Sequence, residues 1–327
     1  MGLTLDIRDL SVRFPVYSSE IEVVRNCSLS VDQGEILGLV GESGSGKSMT
    51  AMSCLGLVPK PGSSHGSLRI NGNEIIGASD GELNRLRGAE VGMIFQNPMS
   101  ALNPFISIGE QISDAVSAGS RPAQRKVDRQ FLVETLESVL IPDPEGALEK
   151  YPHEFSGGQL QRIMIAMVIA CEPQLLIADE PTTALDVTIQ AQVLLLLRRL
   201  AREKNLAVLF ITHDLSVVAT ICDRVSVMYA GEIVESGTVE AVFAEPSHPY
   251  TRKLLGTVPA FGRDKARLEF IPGQVPDMGN LPHGCAFQAR CANAVEICGN
   301  RTPPVIEVAE GHYARCHLAA TNQVRQP

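Results

Sequence analysis

Gly41-Glu42-Ser43-Gly44-Ser45-Gly46-Lys47-Ser48 is the stretch that decides the fold. It fits the pattern G-x-x-x-x-G-K-S, with an apolar run before it (residues 36–40) and a helix-compatible run after it (residues 49–57). In such a strand, loop and helix, the glycines let backbone N–H groups face phosphate oxygens, and the positive helix end adds to the attraction. The sequence therefore predicts a nucleoside triphosphate site formed by Gly41, Ser43, Gly44, Ser45, Gly46, Lys47, Ser48 and Met49.

Four polar side chains are candidates for the chemistry at the phosphates. Lys47 can reach the β- and γ-phosphates, and the Ser48 hydroxyl can ligate Mg²⁺. Asp179 and Glu180 follow a buried-type apolar run, residues 175–178. At the end of such a strand, Asp179 can hold Mg²⁺ directly or through water, and Glu180 can polarise an attacking water molecule.

Composition favours an α/β protein and excludes several functions. The chain has 327 residues, 44% of them apolar, with no Trp and 5% aromatics, which suits buried aliphatic strands of a parallel sheet. The net charge of −9 argues against direct nucleic-acid binding. Neither a signal-peptide pattern nor an uncharged apolar run of membrane-spanning length occurs, so we expect a cytoplasmic chain.

Apolar runs between turn residues predict the order of the elements. Residues 107–170 read as mostly helical, and residues 188–204 as an amphipathic helix. The predicted strands are residues 3–14, 21–31, 36–40, 67–71, 91–95, 175–178 and 207–212, and a hairpin of residues 225–229 and 232–236.

A second candidate phosphate-binding helix end lies at Phe155-Ser156-Gly157-Gly158-Gln159. Ser156 has the character of a helix N-cap, and the two glycines leave backbone N–H groups uncovered. Gln96 and His213 flank this stretch and the carboxylates in sequence.

With these motifs in order, the chain resembles the ATP-binding cassette superfamily from Leu3 to about Ala244. The resemblance implies a P-loop cassette with a RecA-like parallel core, an antiparallel β subdomain and a helical subdomain at about residues 97–170, all within residues 1–245. Phe155 departs from the usual leucine, but it is also apolar.

The resemblance also assigns roles to individual residues. Glu180 would be the catalytic base, His213 would contact the γ-phosphate, and Gln96 would contact Mg²⁺ or water and report to the membrane partner. Phe14 would stack on adenine, with Tyr17 as the fallback. Asp186, in Ala184-Leu185-Asp186, would lie at the seam of a head-to-tail dimer, in which each ATP contacts one chain's phosphate loop and the helix end of the partner that corresponds to Ser156.

The eight cysteines fall into two groups. Cys27, Cys54, Cys171 and Cys222 lie in apolar segments, and we expect buried apolar side chains there. The other four lie within 32 residues at wide spacings, which on chemistry alone leave an iron–sulfur cluster, a zinc site and an unmetallated cluster open. These are Cys285, Cys291, Cys298 and Cys316.

The last quarter of the chain, residues 246–327, is rich in proline and less acidic than the rest, which predicts a separate, loop-rich unit. Its motifs are similar to the C-terminal extension of dipeptide and oligopeptide importer ATPases, several of which carry a [4Fe-4S] cluster on four such cysteines. The resemblance implies that cluster here, whereas three nearby histidines are expected to be surface residues rather than ligands. The motifs are His248-Pro249-Tyr250-Thr251, Leu254-Leu255, Pro272-Gly273, Gly284-Cys285, Arg290-Cys291 and Cys298; the histidines are His283, His312 and His317.

The function implied is an ATPase subunit that powers peptide import from the cytoplasmic face of the membrane. Its implied partners are a related but distinct second cassette, two transmembrane permease subunits that dock at the helical subdomain, and, indirectly, an extracytoplasmic substrate-binding protein. The cofactors are ATP, Mg²⁺ and the cluster. Alternatives are import of nickel or another small solute, a non-transport cassette ATPase, and an iron–sulfur regulatory protein with an incidental nucleotide site.

Overall fold

The computed structural model describes residues 2–17, 19–119, 127–183, 185–258 and 271–319. The chain forms two compact units. The unit that holds Asp179 and Glu180, here called the carboxylate unit, comprises Met1–Leu5, Val31–Glu35 and Arg69–Phe210. The unit that holds the glycine loop, here called the phosphate-loop unit, comprises Asp6–Ser30, Ile36–Leu68 and Ile211–Pro327.

The described strands include every predicted one and three that were not predicted, one at residues 73–74 and two within residues 305–315. They are β1 Leu3–Val16, β2 Ser19–Asp32, β3 Ile36–Val40, β4 Ser63–Ile70, β5 Asn73–Glu74, β6 Val91–Ile94, β7 Leu175–Asp179, β8 Ala207–Thr212, β9 Arg224–Tyr229, β10 Glu232–Thr238, β11 Val305–Ala309 and β12 His312–Arg315.

The described residues form twelve α-helices. They are α1 Lys47–Cys54, α2 Asp80–Leu86, α3 Pro98–Ala101, α4 Ile108–Gly119, α5 Arg129–Ser138, α6 Pro144–Ala147, α7 Gly157–Ala170, α8 Val187–Glu203, α9 Leu215–Ile221, α10 Val239–Ala244, α11 Pro249–Gly256 and α12 Glu296–Asn300. None of those in the described ranges is long and apolar enough to cross a membrane.

In the carboxylate unit, the strands follow the order β8-β7-β6, and β6 runs parallel to β7 with Val91 opposite Leu175. All five residues of β7 are buried, as the aliphatic sequence predicts for a parallel strand. Helix α7 packs on β6 and against α3, α4, α5 and α8. Gly92 in β6 allows this approach, because a Cβ there would collide with Val168 of α7. Packing in the core of this unit thus fixes the positions of the C-terminal end of β7 and the N-terminal end of α7.

In the phosphate-loop unit, the strands follow the order β11-β12-β10-β9-β3. Strand β3 is parallel to β9, and β9 and β10 form the predicted antiparallel hairpin. Its turn residues, Ala230 and Gly231, have φ values of 46° and 84°, as a tight hairpin turn requires. A buried cluster of Tyr229, Tyr250 and Phe287 packs beside these strands, with ring centroids 4.7 to 5.4 Å apart.

The C-terminal region has more regular structure than its composition predicted. It contains α11, α12 and a hairpin, and β12 pairs antiparallel with β10 through Glu235 opposite Ala314. Pro249 occupies the first turn of α11, where a missing N–H costs nothing, so this proline starts a helix and does not break one. Whether the region is a separate domain, with the division at residue 245, stays a prediction.

Candidate nucleotide site

The glycine loop joins β3 to α1 through two residues in left-handed conformation. Gly44 has φ 78° and Gly46 has φ 106°. A Cβ on Gly46 would lie 2.7 Å from the Val23 carbonyl oxygen and 2.9 Å from the Met228 Cε atom. Only glycine fits there, so backbone packing and backbone conformation together require the residue that the motif specifies.

Lys47 folds back across this loop. Its ammonium group donates hydrogen bonds to the carbonyl oxygens of Gly41 (2.8 Å) and Glu42 (2.9 Å), and the residue is 6% exposed. Ser48 and Ser43 are exposed, and Met49 is half-buried. The positive charge of Lys47 is therefore held within the loop, where a phosphate group would meet it.

Two features of the loop fit a phosphate group. The Ser45 hydroxyl is buried and has no hydrogen-bond partner among the described residues, which is costly unless a ligand supplies one. At Gly44, an added Cβ would meet no atom within 4 Å, so the backbone there faces open space. The donor set of Lys47, Ser45, Ser48 and loop N–H groups suits ATP with Mg²⁺.

Residues from far along the chain hold the second residue of the loop. The Glu42 N–H donates to the Tyr250 hydroxyl (3.0 Å), and the Arg290 guanidinium donates to both Glu42 carboxylate oxygens (2.7 and 3.0 Å). Burial alone would lower the pKa of Arg290, but its hydrogen bonds to Glu42 and Tyr229 raise it instead. The motifs containing Tyr250 and Arg290 were visible in the sequence, but nothing in them indicated a contact with the loop.

The predicted adenine and γ-phosphate contacts lie in the same unit. Phe14 is half-buried and lies against Gly62, where an added Cβ would be 2.6 Å from the Phe14 ring. Tyr17, the fallback, is fully exposed beyond the end of β1 and has φ 52°. His213 follows β8, is exposed, and lines a cavity of about 450 Å³ with Leu254 and other residues of this unit.

In the carboxylate unit, Glu180 is held in a defined orientation. Its Oε2 atom accepts hydrogen bonds from the Gln96 amide (3.1 Å) and the Thr183 hydroxyl (2.9 Å). Glu180 also has φ 48°, an uncommon backbone conformation that is often found at functional sites. Asp179, the residue before it, is 9% exposed at the end of β7. Sequence reasoning assigned Gln96 and Glu180 to the nucleotide site but predicted no contact between them. It missed Thr183, whose only signal was a hydroxyl three residues after the acid.

The start of α7 has the predicted cap. Ser156 and Gln159 form a reciprocal capping box, in which each side chain accepts from the other's backbone N–H, at 3.4 and 2.9 Å. Gly157 is exposed, with nothing within 4 Å of an added Cβ, whereas a Cβ on Gly158 would lie 2.5 Å from Ile189 of α8. Gly157 thus leaves the helix end open, and Gly158 allows the two helices to pack.

Asp186 caps the next helix, because its carboxylate accepts from the Ile189 N–H at 3.0 Å. The structure gives it this local role, and its place at a dimer seam stays a prediction. Ala184 lies outside the described residues.

The cysteines agree only in part with expectation. Cys27 and Cys54 are buried, which raises the pKa of each thiol to about 12, whereas Cys171 and Cys222 are only partly buried.

In the C-terminal group of four cysteines, burial, and secondarily the three other cysteines, raise the pKa of Cys285 to about 12. In the part of the chain that the structure describes, no three or more His, Cys, Asp or Glu side chains form a group that could hold a metal ion. The expected [4Fe-4S] cluster on Cys285, Cys291, Cys298 and Cys316 is therefore not supported by the geometry.

One prediction about the histidines is wrong. His312 is 3% exposed, and its Nε2 atom lies 2.8 Å from the buried Glu235 carboxylate. Its place in β12, where alternate residues face inward, explains the burial. His283 is exposed, and His317 is partly exposed with its Nε2 atom 2.9 Å from the Arg301 carbonyl oxygen.

Two family models match this chain. Residues 24–183 match the ABC transporter model, and residues 234–298 match the model of the C-terminal region of oligopeptide and dipeptide transporters. The first match spans the glycine loop and the carboxylates, and the second spans Tyr250 and Arg290.

Curated relatives are similar over nearly the whole chain. The oligopeptide transport ATP-binding protein OppD of Bacillus subtilis is 44% identical over 317 residues, covering 96% of this chain and 88% of that protein. The dipeptide transport ATP-binding protein DppD of Escherichia coli is 46% identical over 314 residues, covering 96% of each.

Solved structures share the cassette fold. The ATP-binding cassette MJ0796, in a dimeric post-hydrolysis state with ADP and Pi, aligns with a TM-score of 0.63 and 26% identity, covering 72% of this chain and 98% of that one. CbiO1 of Clostridium perfringens aligns with a TM-score of 0.64 and 28% identity, covering 75% and 92%. The chain is thus an ATP-hydrolysing P-loop cassette, and it belongs to the ABC transporter family as one of the ATP-binding subunits of the oligopeptide and dipeptide transporters.

Proposed function

We propose that this chain powers the import of peptides, with ATP hydrolysis at the cytoplasmic face of the membrane. The observation that carries the proposal is that one chain combines the nucleotide motifs with a peptide-transporter C-terminal region. That region contacts the phosphate loop through Tyr250 and Arg290, so the two parts act on the same site.

The residues divide the chemistry between them. Lys47 and the loop N–H groups bind and neutralise the phosphates, while Ser48, Gln96 and Asp179 would hold Mg²⁺, which supplies further positive charge. Glu180 accepts a proton from the attacking water, and its hydrogen bonds to Gln96 and Thr183 keep the accepting oxygen in place.

Two cassettes would share each ATP. We place this chain's Ser156, Gly157, Gly158 and Gln159 on the γ-phosphate of the ATP that the partner cassette binds, with Asp186 at the seam. The exposed position of Gly157 at the first residue of α7 supports this role, because a helix N-terminus favours an approaching phosphate group. His213 would contact the γ-phosphate from the same chain, and Phe14, or else Tyr17, would stack on adenine. ATP would then favour the closed dimer and hydrolysis the open one.

The partners proposed are a related but distinct cassette and two transmembrane permease subunits. The permeases would dock on helices of the carboxylate unit near Gln96, which is exposed and bonded to Glu180 and could therefore report docking to the base. An extracytoplasmic binding protein would deliver the peptide. Nickel or another small solute is the alternative cargo.

Uptake measurements distinguish these cargoes. Cells whose own copy carries Lys47→Ala should lose uptake of labelled di- and oligopeptides, whereas cells with Arg301→Met, a substitution at an exposed arginine, should take them up normally. Normal peptide uptake with lost nickel uptake in the Lys47→Ala cells would reassign the cargo.

We further propose that Cys285, Cys291, Cys298 and Cys316 ligate a [4Fe-4S] cluster, although their side chains do not form a metal-holding group in the described part of the chain. The support is the soft donor set of four thiols within 32 residues, and the hydrogen bond from the Cys285 N–H to the Cys298 carbonyl oxygen (2.7 Å), which brings two of the four residues together. Because burial favours the protonated thiols, cluster binding would have to displace those protons.

Iron and sulfide analysis of protein purified without oxygen tests this. About four irons and four sulfides per chain are expected, with Cys291→Ser losing them and Cys171→Ser, outside the group, keeping them. One zinc per chain and no sulfide would overturn the cluster and leave the cassette ATPase intact.

A further inference from the structure

Arg290 joins the cysteine-bearing C-terminal region to the phosphate loop. It directly precedes Cys291, is 8% exposed, and makes a two-pronged ion pair with Glu42, at 2.7 and 3.0 Å. Such paired geometry is stronger and more directional than a surface ion pair.

Other contacts fix the Arg290 side chain itself. Its Nε atom donates to the Pro272 carbonyl oxygen (2.9 Å), and its guanidinium lies over the rings of Tyr229 (5.8 Å) and Phe287 (6.0 Å). The Lys253 ammonium donates to the Arg290 carbonyl oxygen at 3.0 Å. Arg290 is thus a rigid part of the C-terminal region.

Glu42 is held by three of its groups at once. Its carboxylate is paired with Arg290, its N–H is bonded to Tyr250, and its carbonyl oxygen accepts from Lys47. Two of these three contacts come from the C-terminal region. The loop's conformation at its second residue is therefore set by residues more than 200 positions later in the chain.

We propose that Arg290 is a positioning residue for the phosphate loop, through which the folded state of the C-terminal region sets the nucleotide affinity of the cassette. The proposal rests on the nucleotide site proposed above. A loop held in its binding conformation needs no ordering when the phosphates arrive, whereas a released loop binds only through the fraction of molecules that adopt that conformation.

The test uses calorimetric titration of the full chain with ATP and with ADP, together with steady-state hydrolysis. Arg290→Met should weaken both affinities by about tenfold and raise KM, with kcat changed less than about twofold, because the defect precedes chemistry. Arg290→Lys should recover part of the affinity, since lysine keeps the charge but not the two-pronged geometry. The matched control, Arg301→Met, should equal the wild type.

A double-mutant cycle separates positioning from general packing. If Arg290 acts through Glu42, Glu42→Gln should weaken affinity as Arg290→Met does, and the double variant should be no worse than either single one. Charge reversal, Glu42→Arg with Arg290→Glu, should restore affinity in part. Glu42→Gln preserves shape, so it carries the test if Arg290→Met does not fold.

Unchanged affinity in Arg290→Met or in Glu42→Gln, or fully additive losses in the double variant, would overturn the proposal. The failure of the proposed function looks different. In that case Lys47→Ala would bind ATP as tightly as the wild type, whatever the effect of Arg290→Met.

Discussion

The phosphate loop and the Glu180 carboxylate differ in where along the chain the residues that hold them lie. Tyr250 and Arg290, 208 and 248 positions away, hold the loop at Glu42. Glu180 is instead held by Thr183, three positions away, and by Gln96 within its own compact unit. Nucleotide binding should therefore respond to changes in the C-terminal region, while the hydrolytic base should respond to its own neighbours.

The largest effect should come from removing the base. Glu180→Gln keeps the shape of the side chain but cannot accept a proton, so kcat should fall by about 10³-fold while ATP binding is retained. Mixed with its partner cassette, the variant should accumulate as an ATP-bound dimer on size-exclusion chromatography. Glu172→Gln, an exposed carboxylate of the same unit, is the control. Normal turnover by Glu180→Gln would end the assignment.

Lowering the pH should destabilise the region around Tyr250, which holds the phosphate loop. Burial lowers the pKa of His248 to about 4, against the opposing effect of Glu235, and its Nδ1 atom accepts from the Tyr250 N–H. Because the unfolded chain binds this proton more readily, the free energy of unfolding should fall by up to about 3 kcal/mol between pH 6.5 and 4.

His248→Asn keeps an acceptor for the Tyr250 N–H but cannot titrate in this range. Denaturant unfolding at several pH values should therefore show a shallower acid slope for this variant than for the wild type. Equal slopes would mean that another group is responsible.

The two glycines at the start of α7 should differ in how much their substitution by alanine destabilises the chain. Gly158→Ala should destabilise the chain by about 1–3 kcal/mol, because the new Cβ meets Ile189 at 2.5 Å. Gly157→Ala should leave the free energy of unfolding within about 1 kcal/mol of the wild type, since its Cβ meets open space. Urea unfolding measures both, and equal losses would contradict the packing described for α7 and α8.

A smaller effect is expected at Thr183. Thr183→Val removes the hydroxyl that orients Glu180 but keeps the shape, so kcat should fall several-fold, by about 3- to 10-fold, with KM for ATP unchanged. A change in KM alone would indicate that Thr183 acts on nucleotide binding. It would then contradict the assignment of Thr183 to the hydrolytic base and not to the phosphate loop.

The sequence predicted the residues of the nucleotide site better than it predicted the residues that hold them in place. Local patterns were sufficient for the glycine loop, the Ser156 cap and the buried strand that ends at Asp179, because each depends on neighbouring residues. They could not pair Glu42 with Arg290, since a motif carries no information about contacts 248 residues apart. The burial of His312 was missed because no strand was predicted there, and the alternation of β12 is known only from the structure.

Hydrogen exchange of the wild type and Arg290→Met measures, in one experiment, how firmly the phosphate loop and the segment that ends near Glu180 are held. We predict faster exchange of the amides of residues 41–46 in the variant and unchanged exchange in residues 175–183. Unchanged exchange in the loop, or equal acceleration in both segments, would contradict the claim that the C-terminal region specifically holds the phosphate loop.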